Sequence, residues 1–130
     1  NYFLVSAKEI DLKANEQRNM LTEETLKDMH IDTFFKILAT RYNPLLNNND
    51  GNIACFNLSS IKKSMIFRNH IIEITDAIAP NCDLEIEAPE ILLKQILIGY
   101  KGPIESLATG EILIAKGSST DFLKLLSIFR

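Results

Sequence analysis

The apolar residues keep a helical period as far as about residue 43, alternate from Ile53 to Ala88, and return to a helical period from Pro89 onward. A period near 3.6 predicts helices with one buried stripe, and a period of 2 predicts strands with one buried face. Tyr2/Phe3, Ala7 and Ile10 stand at helical spacing, so residues 1–12 read as the tail of a helix, and the polar run 13–20 reads as a linker. Thr22 before two glutamates is a suitable N-cap for a short helix running to about Met29. Asp32 is expected to cap a second helix with Phe34/Phe35, Leu38 and Tyr42 on one face. Pro44 disfavours helical geometry at Asn43 and ends it, and the Asn-rich run to Gly51 is a loop by composition.

In the alternating region Ala54, Phe56 and Leu58 share a face, as do Met65 and Phe67, then Ile72 and Ile74. Asn69-His70 sits where a two-residue hairpin turn belongs. The cleanest strand is Asp83–Ala88, with Leu84, Ile86 and Ala88 inward and Asp83, Glu85 and Glu87 outward. Pro89 suits the start of a helix that is apolar nearly all round as far as Ile98, and Gly99 ends it. A helix so apolar is buried on more than one side, or faces a cavity or partner. A short helix from Pro103 through Ala108, a strand over Glu111–Lys116, and a last helix capped by Ser118 or Ser119 complete the chain. The expected fold is α+β, a five-stranded, mostly antiparallel sheet with helices packed on one face.

Composition narrows the class without adding chemistry. The chain has 130 residues, 46% hydrophobic and 24% charged, with a net charge of −3, enough for one domain with its own core. Apolar content is Ile and Leu almost to the exclusion of Val, and Trp is absent. The acidic balance argues against a nucleic-acid binder, and no run approaches the roughly 20 apolar residues of a membrane span. No leader peptide is visible, and the chain opens on Asn1 within an apolar pattern, as expected of a piece of a longer protein; the compartment stays open. Cys55 and Cys82 lack any CxxC spacing and read as two reduced, buried thiols; a disulfide would need Cα atoms within about 7 Å, which sequence does not give.

The ordered segments Cys82–Ala88, Pro89 to Gly99, Gly102–Gly110, Glu111–Gly117 and the apolar terminal helix together resemble the sterol-carrier-protein fold. That family's hairpin usually ends in Asn-Gly where Asn69-His70 stands, a departure that touches only the turn. Asn1–Ile10 resembles the close of the helical dimerisation region of alkyl sulfatases in the metallo-β-lactamase superfamily, and Thr33–Asn43 the start of their C-terminal domain. The resemblance implies a dimerisation-region remnant and linker over residues 1–20 and a sterol-carrier-protein-like domain over 21–130. It also implies a zinc-dependent parent hydrolase, with the zinc in a catalytic domain absent from this chain, and a homodimer.

Catalytic chemistry is not expected here. His30 and His70 are 40 residues apart, with no HxH, HxxxH or HExxH spacing, so no metal ligands and no cofactor are assigned. Asp83, Glu85 and Glu87 read as a solvated strand face, and Lys62, Lys63 and Arg68 as a small basic cluster on a hairpin surface that would attract anionic headgroups. The expected function is to bind or recruit the alkyl chain of an amphiphilic substrate or lipid in an apolar pocket between sheet and helices. Phe56, Leu58, Met65 and Phe67 would line it from the sheet. Leu92, Gln95 and Ile96, with Phe122, Leu126 and Phe129, would line it from the helices. The alternatives are a structural, dimer-stabilising module without ligand, packed on the parent's catalytic domain, and a free-standing lipid carrier.

Overall fold

The computed structural model describes residues 2–6, 22–43, 45, 51–68 and 71–129. Among them are five helices: α1 (Glu23–Leu26), α2 (Ile31–Ala39), α3 (Glu90–Ile98), α4 (Pro103–Thr109) and α5 (Ser119–Ser127). The strands are β1 (Tyr2–Ser6), β2 (Ile53–Leu58), β3 (Ile61–Arg68), β4 (Ile71–Thr75), β5 (Leu84–Glu87) and β6 (Leu113–Lys116). They form one sheet in the order β1-β4-β3-β2-β5-β6. Only β2–β5 is parallel, and the other neighbouring pairs are antiparallel.

The five expected strands are therefore joined by a sixth. Tyr2–Ser6, expected as a helix tail, instead pairs antiparallel with Thr75–Ile71. The segment is aromatic and β-branched, and the outer edge of β4 offers unpaired backbone groups that a helix would not satisfy. The rest of the expected remnant and linker, and the Asn69-His70 turn, lie outside the described residues, although Arg68 and Ile71 pair on either side of that turn.

The helix boundaries follow from local chemistry. Thr22 caps α1 in a reciprocal box with Thr25, and Ser118 caps α5 in the same way with Asp121. α2 is capped by His30 rather than Asp32: the imidazole Nδ1 accepts the Asp32 N–H at 3.1 Å, and Asp32 lies in the first turn with its charge near the positive end of the dipole. Gly99, at φ 102°, closes α3. At Gly117, φ is +95° and a Cβ would stand 2.9 Å from the Asp83 carbonyl oxygen, so only glycine fits where the β6–α5 turn crosses the entry to β5.

Each strand's alternation sorts residues between two faces. The inner face joins residues from all five helices in one apolar cluster. The outer face carries a smaller cluster of Ile53, Cys55 and Cys82, with Ile66, Ile78 and Ala79 packed against it. The second cluster exists because the connection from β4 to β5, residues 76–83, crosses the outer face of β3 and β2.

Cys55 and Cys82 are joined in a disulfide, with Cα atoms 6.1 Å apart. This corrects the expectation of two reduced thiols: the crossover carries Cys82 back beside β2, a proximity that their separation of 27 residues does not reveal.

Candidate functional site

Nine of the ten residues expected to line an apolar site are buried members of the inner cluster. Phe56, Leu58, Met65 and Phe67 project from neighbouring strands β2 and β3, and Leu92 and Ile96 reach the same cluster from α3. Gln95, on the same helix, is half-buried. Phe122 and Leu126 come from α5, and Phe129 follows its last turn.

The rings of Phe67, Phe129 and Tyr42 form a triangle with centroids 5.6 to 6.4 Å apart, and Phe56 packs against Phe35 at 5.7 Å. The triangle is closed from behind by a backbone bond: the Asn43 N–H donates to the Ile128 carbonyl at 2.8 Å, tying the end of α2 to the end of α5. Phe34, Phe35 and Tyr42 thus belong to the same apolar cluster as the expected residues. The signal for them was the apolar stripe of α2.

Two charged residues also lie at this core. Lys94 of α3 has no exposed surface, and its Nζ donates to the carbonyls of Leu26 at 2.9 Å and Met29 at 2.5 Å. Its third neighbour is Glu90, one turn earlier, at 3.3 Å. The lysine takes up carbonyls at and just beyond the end of α1, which a four-residue helix leaves unsatisfied, and so docks α1 on α3.

Lys63 is 4% exposed and faces inward beside Phe56, its cross-strand neighbour. Its ammonium is bonded to both Asp32 of α2 and Asp76 of the crossover. Burial pulls the Lys63 pKa down, but hydrogen bonds and attraction from the two carboxylates outweigh it and hold the value above the ordinary one. The hydrogen bond from Lys63 in turn keeps Asp76 below the usual carboxylate range.

The expected basic surface cluster is thereby dissolved. Lys63 turns inward because β3 alternates Ile61, Lys63, Met65 and Phe67 on the helix side. Lys62 reaches Asn57 and the Ser59 carbonyl, and Arg68 pairs with Glu73.

On the outer face, the Asp83 carboxylate accepts the Ile53 N–H at 2.8 Å, and Glu85 and Glu87 are half-buried. Among the described residues no three His, Cys, Asp or Glu stand close enough together to hold a metal ion. No helix of the described residues is long and apolar enough to cross a membrane.

No protein-family model matches the chain, and no curated protein sequence matches it. Solved structures do. A double mutant of the sec-alkyl sulfatase PisA1 superposes over 81% of this chain with a TM-score of 0.71 and 15% identity. The stereoselective inverting sec-alkylsulfatase Pisa1 from Pseudomonas sp. superposes over 78% with a TM-score of 0.70 and 14% identity. The UbiJ-SCP2 ubiquinone synthesis protein matches 91% of this chain and 92% of its own, at a TM-score of 0.53 and 12% identity. The chain has the sterol-carrier-protein-like fold. It spans about a sixth of the sulfatase chains it resembles, 17% and 16% of their lengths, so it corresponds to a small domain within them.

Proposed function

We propose that this chain is the non-catalytic C-terminal domain of an alkyl sulfatase-like hydrolase, and that it binds or recruits the apolar chain of an amphiphilic substrate or lipid. The likeness to the small domain seen in two structures of one sec-alkyl sulfatase carries the reading. The apolar cluster between β2–β3, α3 and α5 has the right chemistry: apolar and aromatic side chains, with the half-buried Gln95 on the same helix as Leu92 and Ile96. An alkyl chain entering there gains about 0.8 kcal/mol per buried methylene without needing a hydrogen bond. The proposed lining is Phe56, Leu58, Met65 and Phe67 opposite Leu92, Gln95, Ile96, Phe122, Leu126 and Phe129. Zinc and the hydrolytic residues belong, in this reading, to the rest of the parent.

Titration with alkyl sulfates of increasing length, below their micelle concentrations, tests it. Saturable binding at micromolar ligand is expected, tightening about fourfold per added methylene. Absence of saturable binding overturns the ligand role.

The second reading, an interaction module without ligand, draws on the large apolar side chains left at the surface of the last third of the chain. Ile104 is 69% and Leu113 54% exposed. It predicts self-association measurable by light scattering, which Ile104→Ser and Leu113→Ser would weaken.

A further inference from the structure

The crossover 76–83 is fastened to the outer face of the sheet at successive points. Next to the Asp76–Lys63 pair, the Ser64 hydroxyl donates to the Ala77 carbonyl and accepts the Ala79 N–H at 3.0 Å. Beyond them, Cys82 is bonded to Cys55, and Asp83 exchanges two hydrogen bonds with Ile53, by its N–H at 2.9 Å and its carboxylate at 2.8 Å. Beneath the strap lie Ile53, Cys55 and Ile66, covered by Ile78 and Ala79.

The disulfide is the one covalent fastening, and both sulfurs have an oxygen waiting for a thiol. Cys55 Sγ lies 3.3 Å from Ser64 Oγ, and Cys82 Sγ lies 2.9 Å from the Ala79 carbonyl oxygen. A reduced pair would therefore find hydrogen-bond acceptors in place rather than two orphaned groups.

We propose that Cys55–Cys82 is a redox latch on this strap. In the oxidised chain the strap is locked over the outer apolar patch. In the reduced chain it is held by hydrogen bonds and one ion pair and opens by itself, while the helix-covered core stays folded.

The exchange is balanced by a dithiol. One of its thiolates attacks a sulfur of the pair, forming a mixed disulfide and releasing the other cysteine. The second thiol then closes on the mixed disulfide, and the reagent leaves as a cyclic disulfide with Cys55 and Cys82 as thiols. Because Cys55 is 0% and Cys82 3% exposed, attack follows a transient lifting of the strap, so the latch is slow to reduce while closed.

Two measurements on the whole chain decide it. Thiol titration of the unfolded, unreduced protein should find no free thiol; two free thiols overturn the latch. Amide hydrogen exchange is then compared with and without dithiol. Reduction should speed exchange at the Ala79 and Asp83 amides at least about tenfold more than at Met65, Ile74 and Ile96, whose smaller rise follows the loss of global stability. The Cys55→Ala/Cys82→Ala variant should match the reduced protein whether or not dithiol is present. Unchanged strap exchange on reduction overturns the proposal, and so does a uniform rise across the sheet, which would make the bond a staple of the whole fold.

Discussion

The two faces of the sheet are closed by different physics. The inner face is covered by helices and buries a large, aromatic-rich cluster in which removal of apolar surface from water is the main source of stability. The outer face has a small apolar cluster built on Ile53, Cys55 and Cys82 and is closed by a short strap. There a disulfide, a twice-bonded serine hydroxyl and the two hydrogen bonds between Ile53 and Asp83 do what area does on the other side. A face with too little apolar surface to hold its cover thus relies on directed bonds, each of which can be broken singly.

Substitutions that separate the two faces should differ in size and in reach. The largest loss is expected on the inner face: Phe56→Ala removes a fully buried ring packed on Phe35 and should lower the unfolding free energy by about 3–5 kcal/mol, read as a urea midpoint shift. Cys55→Ala/Cys82→Ala, on the outer face, should lose about 2–4 kcal/mol, because it frees a long loop in the unfolded chain. Wild-type protein in dithiol should lose the same amount, and a difference between the two would separate the bond from the packing of its sulfurs.

Lys94→Met tests a polar contact buried within the inner face. It keeps the aliphatic stem but leaves the Leu26 and Met29 carbonyls without their donor, for a loss of about 1–3 kcal/mol. Exchange at the α1 amides should rise first.

The smallest effect is expected from pH. Asp76 is held below its ordinary pKa, so its contribution is complete above the carboxylate range and vanishes as pH falls through the lowered value. Lys63 is held above its ordinary pKa, so its contribution persists below the lysine range and vanishes as pH rises through the raised value. The melting temperature should be flat from about pH 5 to about pH 9 with respect to this pair, and Lys63→Met should flatten the acid limb.

Where structure follows from neighbours in sequence, the chain is readable. The alternation Leu84-Glu85-Ile86-Glu87 sets both faces of β5, and Ser118 with Asp121 announces α5. The same periodicities brought Phe56, Leu58, Met65 and Phe67 to one face and Phe122, Leu126 and Phe129 opposite them. Lys63 is legible too, since period 2 puts it inward with Ile61 and Met65, against the usual place of a charge at the surface. Its partners, Asp32 on a helix and Asp76 beyond the next strand, are fixed only by the assembled fold. The disulfide and the pairing of β1 are of the same kind, since each joins segments that meet only once the crossover and the sheet order exist.

The sheet order also constrains how the chain is assembled as it emerges from the ribosome. β2, β3 and β4 are neighbours in both sequence and space, so their meander needs only short loop closures. β1 is synthesised before all of them, yet its partner is β4, at the far side of that meander. β1 thus waits for β4 to be made before it can find a place. Until the two pair the edge of β4 stands open, and a nascent chain stalled at this stage presents an unpaired strand edge to its neighbours.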